Sequence, residues 1–149
     1  MTFEELMADL GARLELDEFQ PDEDGLCELY TDDFTVTLQG VPETGMVLTT
    51  GLLCELGPDP SAKFLRRLLE ANFMYSETHG ATISLDAAND CVMLTRYDRL
   101  NQVDGETFFK TVKLFLLAMS EWKTWFKEEA PKIDRPEIDV AADGGAIRV

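Results

Sequence analysis

Catalysis needs a nucleophile, a titratable acid or base, or a metal, gathered at one place. His79 is the single histidine in 149 residues. It stands just before Gly80, at a junction from helix to strand where a surface or capping role is usual. A Ser-His-Asp triad or Cys-His dyad has only that imidazole to draw on, and no serine lies in a Gly-x-Ser-x-Gly elbow. Cys27, Cys54 and Cys91 are widely spaced in apolar-patterned segments, so they read as free thiols rather than a disulfide framework or a metal knuckle. The acidic loop around Gly25 fails as a calcium loop. With that glycine at position 6, Gln20 falls at position 1 and Thr31 at position 12, where a carboxylate is required. Asp22, Glu23 and Asp24 form one solvated run, whereas an acid-base pair needs two carboxyls in different environments. The glycine-dense ADGGA near the C-terminus precedes no helix and cradles no phosphate. Trp122, Trp125 and Phe126 suit either a ligand box or a core, and their helical spacing favours the core. These residues argue against an enzyme and call for no cofactor and no metal.

Charge is the stronger compositional signal. The net charge is −16, from 29 acidic and 13 basic residues. Residues 1–62 carry fifteen of the acidic residues against Arg13 alone. Such a field repels nucleic acid and anionic lipid, whose affinity comes from lysine and arginine neutralising phosphates. It suits a basic or neutral partner, or serves solubility alone. No apolar run approaches the ~20 residues of a spanning helix. The opening MTFEELMADL has acid where a secretory signal carries lysine or arginine, so a cytoplasmic protein is expected.

The elements that must position any site follow from periodicity. Thr2 and Glu5 form a capping-box pattern ahead of Phe3, Leu6, Met7, Leu10 and Leu14, which predicts a first helix ending near Leu16. LCELY and FTVTLQ flank an Asp32-Asp33 turn, and MVLTTGLLCEL supplies a third strand with Gly51 as a bulge or kink. Asp59 and Pro60 then mark the start of a second helix. Its Phe64, Leu65, Leu68, Leu69 and Phe73 make an apolar face wider than one core contact needs. Ala81, Ile83 and Leu85 share one side of a fourth strand, and Val92 and Leu94 share one side of a fifth, with Asn89-Asp90 in the turn. Asp104 caps a last helix, about residues 105–129, bearing Phe108, Val112, Phe115, Leu116, Met119, Trp122 and Phe126 on one face. Pro131 stops it. The expected fold is α+β, an antiparallel five-stranded sheet with three helices in α-β-β-β-α-β-β-α order. One domain spans residues 1–130, and residues 131–149 form a mobile tail.

LLEANF (68–73), the Gly-Ala-x-Ile-x-Leu-Asp strand at 80–86 and the Leu-x-Arg pattern at 94–96 resemble the class I type III secretion chaperones, the Tir-chaperone or CesT-like family. Phe115 and Trp122 match the aromatic positions of that family's closing helix. The resemblance covers most of residues 2–128. It implies a homodimeric, non-enzymatic cytoplasmic chaperone that wraps an extended N-terminal segment of a secreted effector and uses no ATP. Carried over, the dimer contact falls on Leu65, Leu68, Leu69, Phe73, Val92 and Leu94. Effector binding falls on Leu6, Leu10, Phe34, Val36 and Leu38, together with strand addition at a sheet edge. Two other readings stay open: an interaction module of the same shape serving a regulatory or sensory partner, and a small enzyme using carboxylates or the Trp122 region. Each apolar residue named here also fits plain core packing.

Overall fold

The computed structural model describes residues 1–133. Helix α1 (Phe3–Arg13) begins with the expected capping box: Glu5 N–H donates to Thr2 Oγ1 at 3.1 Å and Thr2 N–H to the Glu5 carboxylate at 2.7 Å. It ends earlier than Leu16, because Glu15 turns to a left-handed φ of 57°. Three strands follow, β1 (Leu26–Tyr30), β2 (Thr35–Val41) and β3 (Met46–Glu55). Helix α2 (Ala62–Ala71) comes next, then a 3₁₀ turn at Phe73–Tyr75, β4 (Thr82–Asp86), β5 (Cys91–Arg99), a second 3₁₀ turn at Leu100–Gln102, the long α3 (Gly105–Glu128) and a one-turn α4 (Ala130–Ile133). The α2 cap is Ser61 rather than Asp59, its side chain accepting from Phe64 N–H at 3.1 Å.

The sheet is antiparallel throughout, in the order β1-β2-β3-β5-β4. Strand alternation sends Val36, Leu38, Val47, Leu53, Ile83, Val92 and Leu94 to one face, where all are buried. That face is covered by α1 and α3, whose Leu6, Met7, Leu10, Phe108, Phe115 and Met119 are almost fully withdrawn from water. Gly51 is a contact point: a Cβ there would lie 2.5 Å from Met119 Sδ. The β3–β5 register slips between Leu52 and Cys54, just beyond it. Gly105, the first residue of α3, lies against the Asp9 carboxylate of α1, so the two helices meet where no side chain fits. Asp104 caps α3, accepting Thr107 N–H at 2.7 Å.

The opposite sheet face is the open one. Thr37, Thr50, Thr95 and Thr82 stand in register across four strands, flanked by exposed Leu52 and Tyr97. Helix α2 lies on the helical side at the β4 edge. Phe64 stacks on Trp125 at 6.3 Å and meets Phe126 edge-on at 5.9 Å, while Trp122 and Trp125 are 5.2 Å apart. The aromatic group is therefore the joint between α2 and α3, with Trp122 buried. Beyond α3 the chain turns once more: Ala130 is buried and Ile133 packs against the core. The rest of the expected tail, residues 134–149, lies outside the described residues.

Candidate interaction surfaces

Helix α2 has two apolar sides, and the structure covers one. Phe64 and Leu68 are buried against α3 and the sheet, whereas Leu69 is 74% exposed. The 3₁₀ turn continues the uncovered side with Phe73 at 76%, Met74 at 75% and Tyr75 at 54% exposure. Beside them, Leu65, Leu68, Leu69, Ile83, Ser84 and Leu85 line a pocket of about 260 Å³, almost wholly apolar in character. A protruding cluster and a receding pocket thus lie on one surface. Burial of this much aromatic and aliphatic area is worth several kcal/mol at about 25 cal/mol per Å², and a lone chain leaves it in water. Contiguous exposed apolar area of this kind marks an interaction site.

The residues on either side hold this surface in place. Asn72 donates from Nδ2 to Ile83 O at 2.9 Å and accepts Ile83 N–H at 2.8 Å, so its amide takes the position of a neighbouring strand at the β4 edge. Arg67 grips the Glu77 carboxylate with both terminal nitrogens, at 2.7 and 3.3 Å, while its guanidinium lies 5.4 Å from the Trp122 ring centre. That hydrogen bond and charge hold the Glu77 carboxyl below its usual range. Trp122 Nε1 donates to Glu77 O at 2.8 Å. The His79 ring lies 3.2 Å from the Glu121 carboxylate, joining the loop to α3.

At the other end of the sheet, β1 is the edge strand. Thr31 N–H bonds to Phe34 O at 2.9 Å, and such paired positions recur every second residue along an antiparallel ladder. Leu29 and Cys27 therefore face β2, while Leu26, Glu28 and Tyr30 turn their backbone groups outward. Asp22 satisfies Leu26, accepting its N–H at 2.9 Å and donating to its carbonyl at 2.8 Å. Glu28 and Tyr30 are left as the edge positions, their side chains hydrogen-bonded to each other and the tyrosine 73% exposed. This edge belongs to the strongly acidic half of the chain. Cys27 on the same strand points inward, and desolvation pushes its thiol up to about 11, so it stays protonated at neutral pH. A larger cleft of about 530 Å³ lies between α3 and the end of β3, with Leu53, Cys54 and Phe126 as apolar lining and Lys123, Lys127, Asp33 and Glu128 as charged lining.

The sequence-derived positions divide accordingly. Leu69 and Phe73 are at the surface, Leu65 is half-buried beside them, and Leu68 is the pocket floor. Val92 and Leu94 are fully buried under the helices of their own chain, because β5 lies inside the sheet, between β3 and β4. Leu6, Leu10, Val36 and Leu38 are likewise in the core, and Phe34 is partly buried against it at the β1–β2 turn. Sequence reasoning did not single out Met74, Tyr75 and Asn72. The first two follow the end of a helix, where periodicity stops carrying information. An asparagine just past an apolar helical face was the available signal for the third.

Comparison with known proteins agrees with this fold. No curated protein matches the chain in sequence. Several solved structures share the fold. One chain of the HopA1–SchA chaperone–effector complex is 20% identical with a TM-score of 0.68, over 82% of this chain and 93% of that one. One chain of the ExsC–ExsE complex is 21% identical with a TM-score of 0.67, over 81% and 90%. One chain of the Yersinia pestis type III secretion chaperone SycH in complex with a stable fragment of YscM2 is 17% identical with a TM-score of 0.63, over 81% and 99%. Residues 5–123 match the Tir chaperone protein (CesT) family along their whole length, and the chain belongs to that family.

Proposed function

We propose that this type III secretion chaperone works in the cytoplasm as a homodimer, binds the N-terminal segment of one or more effector proteins, and holds that segment non-globular for export without chemistry of its own. The observation that carries the reading is the uncovered apolar surface of α2 and the turn after it, centred on Leu69, Phe73 and Met74. Leu65, Leu69 and Phe73 are its contact residues, with Leu68 beneath them. Val92 and Leu94 contribute as the packed layer that fixes β4 and the pocket wall. On the effector side, Phe34 and the β1 edge are the accessible elements, and Leu6, Leu10, Val36 and Leu38 are the core that shapes them. An extended peptide added at a strand edge gains backbone hydrogen bonds while alternate side chains enter pockets.

The test is co-purification. Effector candidates encoded near this chain, each with and without its N-terminal region, are co-expressed with it. A stable complex that forms with the intact effector and is lost on removing that region is the expected result. Complexes that ignore the N-terminal region, or none at all, would sink the assignment.

A further inference from the structure

The segment from Asn72 to Gly80 is built at a conformational cost that its own core does not recover. Met74 and Tyr75 stand consecutively at left-handed φ values of 59° and 56°, and His79 at 51°. Large side chains rarely adopt this region, because Cβ crowds the following carbonyl. Such outliers persist only where the surroundings over-determine them. Here the surroundings do so on both sides. Asn72 fixes the entry with its two bonds to the Ile83 backbone. The exit is fixed by the Arg67 fork on Glu77, by Trp122 on the Glu77 carbonyl, and by the buried Thr78, whose hydroxyl donates to Ala81 O at 2.5 Å. Between these ties the cluster gains little burial: Phe73 and Met74 are about three-quarters exposed and Tyr75 is about half exposed.

We infer that Asn72, Arg67 and Glu77 are positioning residues for self-association, holding the Phe73–Tyr75 cluster at a fixed offset from the Leu65, Leu69, Leu85 pocket so that a second copy of this chain is met by both at once. The inference rests on the homodimer reading above. A two-fold interface sets residue i of one chain on residue j of the other and the reverse, so a projection and a recess on one surface fill each other across the axis. This surface has both, and Asn72 is the direct link between them, since the strand it ties, at Ile83, forms the pocket wall. A mobile turn would present the same side chains without the offset.

The test compares self-association and stability in the full chain. Sedimentation equilibrium over a dilution series reads the dimer dissociation constant for wild type, Leu69→Asp, Asn72→Ala, Glu77→Ala and Met74→Asn, and thermal melts read stability. Asn72→Ala and Glu77→Ala each weaken the dimer by about tenfold or more, the coupling expected of residues sharing one network, while remaining folded. Met74→Asn separates the two readouts: asparagine accepts the left-handed backbone, so stability holds or rises while the dimer weakens. A wild-type dimer that Leu69→Asp dissociates but that Asn72→Ala and Glu77→Ala leave intact overturns the inference and keeps the homodimer. A wild type that stays monomeric at every concentration overturns the homodimer itself. Variants that lose the fold altogether assign these residues to folding rather than positioning, and overturn the inference too.

Discussion

Helices α2 and α3 are both amphipathic, and both carry more apolar surface than one side needs, yet they meet different fates. Along α3 the stripe of Phe108, Val112, Phe115, Met119 and Trp122 is buried by the sheet, α1 and α2 of the same chain. Along α2 the Phe64 and Leu68 side is covered, and the Leu69 side continues into Phe73 and Met74 in water. Hydrophobic periodicity therefore reports that a face wants a partner without saying which chain supplies it. For α3 the partner is internal; for α2, under the proposed homodimer, part of it is a second copy.

Substitutions on the two helices should separate along that line. Phe115→Ala empties a fully buried site and is expected to cost about 3–5 kcal/mol in denaturant unfolding of the chain; a loss under about 1 kcal/mol would mean that α3 is not the core helix described. Leu69→Asp changes unfolding of the isolated chain by only about 0.5 kcal/mol, because its side chain is already solvated, yet it abolishes self-association. If instead it unfolds the monomer, the contrast between the helices fails.

Smaller effects sharpen the picture around the joint. Glu77 has a depressed pKa when folded, so its contribution is fully present above its unfolded pKa of about 4.3 and disappears as pH falls through the lower folded value. Thermal melts of Glu77→Gln should therefore lie below wild type at pH 7 and converge on it in strong acid; an equal gap at both pH values would point to a lost packing contact instead. The weakest expected effect is kinetic. If the acidic N-terminal half steers a basic effector segment, the association rate should fall as salt rises, whereas a flat salt dependence in stopped-flow would leave the acid to solubility alone.

Much of the fold was legible because local chemistry and global packing agree in it. Thr2 and Glu5 define the first cap, Asp104 the last, and period-two runs define all five strands. The wide face of α2 was legible too, and the structure leaves its Leu69 side exposed. What was not legible is set by long-range geometry. Val92 and Leu94 sit on a strand whose place inside the sheet comes from strand order, and no feature of the residues themselves announces it. Asn72 acts across eleven positions on Ile83, a pairing invisible to any local window. Ser61 rather than Asp59 caps α2 because the cap follows the chain's actual entry into the helix, and both residue types serve that role. The left-handed Met74 and Tyr75 contradict their own preferences, which is where local reasoning is expected to fail and where a functional demand is to be sought.

The claim on which the rest depends is that the Leu69, Phe73 and Met74 surface is covered by a second copy. Light scattering on the purified full chain tests it most directly. The expected mass is twice the 16.8 kDa chain, falling to a single chain in Leu69→Asp with the fold retained. A single-chain mass for the wild type at the highest attainable concentration would contradict it.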